Sequence, residues 1–358
     1  MKHIDRQILQ IALPSIVSNI TVPLLGLIDV AIVGHLGSPA YIGAIAVGGM
    51  LFNIIYWIFG FLRMGTSGMT SQAYGKRDLP EIVRLLMRSV GIGLAVALCL
   101  ILLQVPIRQA AFLIIHPTAE VREMATLYFH ICIWGAPAML GLYGLSGWFI
   151  GMQNSRIPMY IAITQNIVNI IASLSFVCFF KMKVEGVAFG TLIAQYAGFI
   201  MGLVLWMSRY GKLKKYILWK GVLQKEAMMR FFQVNRDIFL RTLCLVTVTL
   251  FFTSAGASQG EIILAVNTLL MQLFTLFSYV MDGFAYAGEA LSGRYIGARN
   301  RKAFTNTTRH LFIWGGWLAA FFTLVYALDG NAFLGLLTDN KDVVSAAGTY
   351  FYWALAIP

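Results

Sequence analysis

The sequence predicts an all-α polytopic membrane protein with two six-helix lobes related by a parallel repeat. The chain stops within the second lobe, at the start of span ten. Hydrophobic residues make up 59% of the 358 residues and charged residues only 12%, about half the charged share of a soluble domain. The apolar runs are continuous and long enough for membrane helices, whereas barrel strands would alternate. Parts of the chain also repeat at an offset of 222 residues, the distance from Gly75 to Gly297.

The first predicted span, Ile8 to Val33, combines two prolines with one carboxylate. Pro14 and Pro23 remove backbone hydrogen bonds and can bend the helix. Asp29 would lie in hydrocarbon, where a charge costs roughly 2.5–3.5 kcal/mol on insertion scales, so such residues usually face a cavity or a partner. A bent helix with an acid is what a proton- or cation-coupled transporter would use. The alternative is that Asp29 lies near the outer end and reaches headgroup water.

The other apolar runs predict eight further complete spans. They lie at Tyr41–Leu62, Leu85–Leu103, Met124–Ile150, Pro158–Phe180, Val187–Met207, Ile238–Ala255, Ile262–Tyr286 and Leu311–Leu328. Polar stretches at 63–78 and 288–302 separate span two from three and span eight from nine. A tenth run begins near Val344 and stops at Pro358 without a polar flank, so we expect the protein to continue to twelve spans.

The charge pattern predicts the domains and the orientation. We expect an N-terminal lobe at 1–207, a basic linker at 208–236, which an amphipathic pattern places on the membrane surface, and a C-terminal lobe at 237–358. With the N-terminus in the cytoplasm, the positive-inside rule is obeyed. Of the 27 lysines and arginines, those left outside are Arg108, Arg122, Lys181, Lys183 and Lys341.

The sequence contains no motif that indicates an enzyme, a metal site, a cofactor site or a nucleic-acid partner. Zincin, P-loop, dinucleotide-binding and nucleophile-elbow motifs are absent. The net charge of +12 comes from the basic loops. The cysteines lie in apolar runs without metal-ligand spacing, as small core residues would; they are Cys99, Cys132, Cys178 and Cys244.

The internal repeat indicates the architecture. Residues 74–78, YGKRD, correspond to 296–300, IGARN, and weaker matches at the same offset link 120–129 with 342–351. Six spans separate the copies, so both have the same orientation in the membrane. A parallel repeat of this kind is a transporter architecture with the substrate site between the halves.

Polar side chains of spans five and six could join Asp29 in one pocket of the first lobe. Span five supplies Asn166, Asn169, Ser173 and Ser175, of which Asn169 and Ser173 are four residues apart and share a helix face; span six supplies Thr191 and Gln195, again four apart. An acid beside amide and hydroxyl oxygens can hold a proton or, weakly, sodium, because hard cations prefer oxygen ligands. The alternative is that these groups only hydrogen-bond between helices, which is worth roughly 0.6 kcal/mol each.

The second lobe has a polar set of its own. Asp237 and Arg241 are four residues apart and placed to pair, while Asp282 and Glu289 lie near the inner end of span eight. One interpretation is a charged network that gates the cytoplasmic side or couples a second proton. The other is interface anchoring by groups near water.

Several segments together resemble the multidrug and toxic compound extrusion (MATE) transporters, in the branch named for the DNA-damage-inducible protein F. They are LPSIVSNITVPLLGLIDVAIVGHLGSP, LRMGTSGMTSQAYGKRD, NRDIFLRTL and AVNTLLMQLFTLFSYVMDGFAYAGEALSG. The resemblance covers essentially the whole chain. It implies a V-shaped pair of lobes in the inner membrane of a bacterium, a monomer that exports cationic or amphipathic compounds against a proton or sodium gradient.

The resemblance also implies roles for particular residues. It places the key acid at Asp29, the bending proline at Pro14, and a cation pocket at Asp29, Asn169, Ser173 and Thr191. The chain departs from the family at Ser173, where a second acid is common. A hydroxyl cannot supply that charge, so the departure favours protons over sodium, coupled through Asp29 alone or shared with Asp282 and Glu289.

Two other functions remain open from the sequence. A flippase for lipid-linked precursors, from the same superfamily, would need a basic rim for pyrophosphate, and the outer halves of the spans carry almost no arginine or lysine. A non-transporting scaffold or sensor would use the basic segment 208–235 for docking, but it leaves the intramembrane acids without a role.

Overall fold

The computed structural model describes residues 2–34, 39–219, 221–337, 348, 350–353, 355–356 and 358. Twelve α-helices lie in these ranges: α1 Lys2–Gly34, α2 Pro39–Ile58, α3 Phe61–Lys76, α4 Leu79–Leu102, α5 Gln104–Ile115, α6 Ala119–Cys132, α7 Ala136–Gly151, α8 Arg156–Cys178, α9 Val184–Arg209, α10 Lys225–Ser258, α11 Glu261–Gly297 and α12 Arg301–Leu337. The all-α prediction is therefore confirmed.

Helix length and hydropathy agree with a multi-pass membrane protein. Seven helical stretches of the described residues are long and apolar enough to cross a bilayer. Helices α1 and α10 are also longer than a bilayer requires, with 33 and 34 residues. The N-terminal lobe expected from the sequence would contain α1–α9, and the C-terminal lobe would contain α10–α12. The tenth predicted span, from Val344, falls largely outside the described residues.

The polar stretch at 63–78 is not a loop. It forms α3, which follows α2 after a short turn and buries small residues such as Thr66, Ser67 and Ser71. Small side chains let helix backbones approach closely, and α3 packs against α7 on one side and α11 on the other. Polar composition alone concealed this helix, because its polar residues are buried between helices.

The linker is not a single amphipathic surface helix. Helix α9 continues to Arg209, a 3₁₀ segment covers Gly211–Tyr216, and α10 begins at Lys225. The buried Arg88 of α4 holds the segment between them, since its Nε donates to the carbonyl of Val222 at 2.7 Å. Its Nη1 pairs with Glu81 at 2.7 Å, so one side chain fixes the linker to the first lobe.

Helix α1 packs against both lobes. Its N-terminal half places Ile8, Ile11 and Ala12 in a buried cluster with Phe284 and Ala287 of α11. Its C-terminal half lies against α8. Pro14 and Pro23 stand between the ends of this helix, where a bend changes the angle between the two packing surfaces.

Helices α3 and α11 cross with their backbones in close contact, and the crossing follows the sequence repeat. A Cβ at Gly75 would collide with the carbonyl oxygen of Arg294, and a Cβ at Gly297 would collide with that of Gln72. These two contacts exchange positions under the 222-residue offset. The repeat predicted from sequence is therefore a structural symmetry at the contact between the lobes.

The helix ends next to this crossing repeat the same geometry. Arg77 and Arg299 both adopt left-handed backbone conformations, with φ of 59° and 54°. Asp78 Oδ1 then accepts from the backbone N–H of Glu81 at 3.1 Å, as Asn300 Oδ1 accepts from Ala303 at 3.0 Å. Each side chain caps the helix that follows.

We predict that Gly75→Ala and Gly297→Ala each separate α3 from α11. The added methyl meets backbone that cannot rotate away, which we expect to cost about 1–3 kcal/mol of stability. Thermal melting in detergent measures the loss.

Gly91→Ala in α4 is the matched control, because nothing lies within 4 Å of its Cβ position. Alanine favours a helix over glycine by about 0.5–1 kcal/mol, so this variant should melt no lower than the parent. Equal melting of all three variants would contradict the close crossing.

Candidate functional site

Asp29 lies in the C-terminal half of α1 with only 5% of its surface exposed. Its Oδ2 accepts a long hydrogen bond of 3.5 Å from the Thr191 hydroxyl of α9. Its Oδ1 has no hydrogen-bond partner among the described residues. The structure thus favours the buried alternative over a carboxylate that reaches headgroup water.

Helix α8 completes the surroundings of this carboxylate. Asn169 is fully buried, and its Nδ2 donates to the Thr191 Oγ1 at 3.0 Å. Ser173 is also fully buried, one turn further along, and packs against Gly190 of α9. The four residues that the family resemblance placed together therefore lie on neighbouring faces of α1, α8 and α9.

Three buried oxygens of this cluster are unpaired. Asp29 Oδ1, Asn169 Oδ1 and Ser173 Oγ all lack hydrogen-bond partners within the described part of the chain. Unpaired buried polar atoms cost about 1–3 kcal/mol each, so a native structure keeps them for a reason. Such a set can accept a proton on the carboxylate or provide oxygen ligands to a small hard cation.

Tyr128 of α6 is a neighbour that the sequence did not indicate. It is buried, and its hydroxyl lies within reach of Thr191 and Cys132. The chain has 15 tyrosines, and no spacing or motif distinguishes this one.

The bend region of α1 receives a hydrogen bond from outside the helix. Pro14 has no N–H, so the carbonyl of Gln10 loses its partner within α1. The buried Ser155, directly before α8, places its Oγ at 3.4 Å from that carbonyl and donates to Ile11 at 2.9 Å. The Ser155 hydroxyl therefore supplies a donor to the Gln10 carbonyl, which Pro14 leaves without one.

The second-lobe residues do not form one network. Asp237 is exposed and its Oδ1 accepts from the neighbouring Arg236 at 3.0 Å, so the expected pairing with Arg241 is replaced by one with its sequence neighbour. Glu289 instead lies against α3, with its Oε1 3.5 Å from the Cβ position of Gly68, and Arg63 of α3 stacks over Tyr286 at 4.0 Å. Sequence reasoning missed Arg63 because it stands in the polar stretch that was placed between spans two and three.

The MatE family model matches two segments of the chain, residues 14–174 and 238–357. The chain belongs to the MatE family. The two matches cover most of both lobes and follow the internal repeat. The family resemblance drawn from the sequence is confirmed, and with it the interpretation as a multi-pass membrane transporter.

Two relatives show the breadth of the likeness. This MATE chain is 37% identical over 358 residues to the DNA damage-inducible protein F of Escherichia coli, across 99% of the chain and 77% of that protein. It is 21% identical to the probable multidrug resistance protein NorM of Synechococcus, across 95% of the chain and 74% of that protein.

A crystal structure of a MATE protein in the bent conformation has the same fold. It superimposes with a TM-score of 0.89 over 98% of the chain and 79% of that structure, at 20% sequence identity. The MATE-type architecture implied by the family resemblance is therefore confirmed.

We predict that Ser155→Ala destabilises the protein by about 1–3 kcal/mol, because the Gln10 carbonyl that Pro14 leaves open loses its donor in a buried setting. The Ile11 carbonyl keeps the Ser15 hydroxyl as a donor at 2.8 Å. Thermal melting measures the change. Ser175→Ala in α8 is the control, since Ser175 is half-buried and its hydroxyl donates within its own helix, to Ile171. The same melting temperature for both variants would show that Ser155 does not support α1.

Proposed function

We propose that this MATE chain is a secondary active antiporter that exports cationic or amphipathic small molecules in exchange for protons by alternating access. The observation that carries the proposal is the Oδ1 of Asp29, which lies in a buried oxygen cluster and has no hydrogen-bond partner among the described residues. An intramembrane acid with one oxygen left open in this way is suited to binding and releasing an ion.

The coupling ion we propose is the proton, with sodium as the alternative. Sodium would need several oxygen ligands and negative charge, and the cluster supplies one carboxylate beside neutral groups. Ser173 and Asn169 add dipoles but no charge. A proton needs only the carboxylate oxygen.

Helix α1 provides the route from ion binding to movement of the lobes. Its outer part holds Asp29 against α9, and its inner part packs on α11. Protonation removes the charge of Asp29 and lets α1 bend at Pro14. The ion drives export only if it binds one of the two shapes better than the other.

The proposed arrangement is a monomer in the inner membrane of a bacterium, with the N-terminus in the cytoplasm. Lobes at 1–207 and 237–358 flank the linker at 208–236. The contact between α3 and α11 then lies on the cytoplasmic side, and the Asp29 cluster lies beyond it toward the outside.

We predict that Asp29→Asn in the full-length protein still binds a lipophilic cation but exports none under a pH gradient. The amide cannot take up the proton, so the cycle stops in one state. Proteoliposomes loaded with ethidium, with pH and sodium gradients imposed separately, measure this.

Glu123→Gln is the matched control, because Glu123 is an exposed carboxylate of the first lobe. It should export at the parent rate. Normal export by Asp29→Asn would refute the coupling, and export driven by sodium alone would replace the proton. Activity on a lipid-linked sugar without export of the cation would favour the flippase, and function independent of any substrate would favour the scaffold.

We predict that Ser173→Asp introduces a sodium response that the parent lacks. A second carboxylate beside Asp29 is repelled by it, and a bound cation relieves that repulsion. Sodium at a hundredfold excess over its Kd should raise the free energy of unfolding of this variant by about 2.7 kcal/mol. A rise in the melting temperature with sodium measures this.

Ser173→Asn separates charge from size, because asparagine has nearly the volume of aspartate and no charge. It should melt independently of sodium. A parent protein that is already stabilised by sodium would overturn the choice of the proton.

A further inference from the structure

One face of α11 carries alternating aromatic and acidic side chains. Tyr279, Asp282, Tyr286 and Glu289 recur at helical spacing; we refer to these four residues as the α11 ladder. The ladder faces the first lobe. The Asn19 amide of α1 donates to the carbonyl of Tyr279 at 3.3 Å, and Ser71 of α3 donates to the carbonyl of Glu289 at 3.4 Å.

A cation from the other lobe already occupies the ladder. The guanidinium carbon of Arg63 lies 4.0 Å from the centroid of the Tyr286 ring. Glu289, three residues further along α11, also lies against α3, with its Oε1 3.5 Å from the Cβ position of Gly68. Arg63 belongs to α3, so the occupant and the ladder lie on opposite sides of the contact between the lobes.

The chemistry of the ladder is that of an organic-cation site. Aromatic faces attract cations by several tenths to about 2 kcal/mol, and carboxylates next to them add charge attraction. The occupant, Arg63, is itself a monovalent planar cation, so a ligand of the same charge matches the chemistry of the ladder.

We propose that the α11 ladder is a binding site for monovalent organic cations and that Arg63 is its tethered occupant while the lobes are in contact. The inference rests on the proposed export function and adds the location of a substrate site. When the lobes separate, Arg63 leaves with α3 and the ladder is free for a cation from that side. Substrate and Arg63 exclude each other, so substrate release and lobe contact are linked.

The test is equilibrium binding of tetraphenylphosphonium to the purified full-length protein in detergent. Arg63→Gln removes the competing cation and should tighten binding about tenfold. Tyr286→Leu in the Arg63→Gln background should reverse this gain. Arg236→Gln is the control, because Arg236 is an exposed arginine that pairs with Asp237 away from the ladder; it should leave binding unchanged.

A merely structural role for Arg63 would not produce tighter binding. Unchanged or weaker binding by Arg63→Gln, with a normal melting temperature, would overturn the proposal. If that variant does not fold, Arg63→Lys keeps the charge but loses the planar stacking on Tyr286. It should then tighten binding by about threefold, and no gain would count against the site.

The binding assay uses no ion gradient, so it separates this inference from the proposed coupling. If Arg63→Gln binds tetraphenylphosphonium more tightly and the parent protein shows no pH-driven export, the ladder proposal stands and proton coupling is rejected. If the parent protein exports under a pH gradient and Arg63→Gln does not tighten tetraphenylphosphonium binding, the antiporter proposal stands and the ladder is rejected.

Discussion

The packing of α1 against both lobes is the constraint on which the other features depend. Within a membrane every backbone polar group needs a partner, and Pro14 removes one inside this helix. Ser155 satisfies the open backbone from the first lobe, while the inner part of the same helix is buried against α11. A change in the bend of α1 therefore alters contacts in both lobes at once, which a helix belonging to a single lobe could not do.

The contact between α3 and α11 shows how a repeat in sequence becomes an interface. Gly75 and Gly297 each accept the backbone of the opposite helix, and each is followed by a left-handed arginine and a capping side chain. The sequence segments that repeat most clearly are those that meet. Backbone contact at this distance tolerates only glycine, so the motif repeats on both sides of the interface for a steric reason.

Sequence patterns predicted the fold class, nine spans and the repeat, because length and hydropathy depend only on the bilayer. Spacing also showed that Asn169 and Ser173 share a face of α8, and the family resemblance added Asp29 and Thr191 to the same pocket. They failed at α3 and Arg63, where polar residues are buried between helices instead of exposed in a loop. Composition cannot distinguish these two situations, because only the packing partner decides which applies.

The two lobes differ in how they neutralise their acids, and this difference suggests a division of labour. Among the described residues the only hydrogen bond to the side chain of Asp29 comes from the neutral Thr191, so in the proposed function a mobile ion supplies the compensating charge. On α11 the protein itself supplies a cation, because Arg63 of α3 stacks over Tyr286 between Asp282 and Glu289 in the ladder. In that proposal the charge in the first lobe depends on the ion gradient, and the charge in the second depends on lobe position. An exchanger needs both dependences, because an ion must change the shape and the shape must change the affinity for the exported cation.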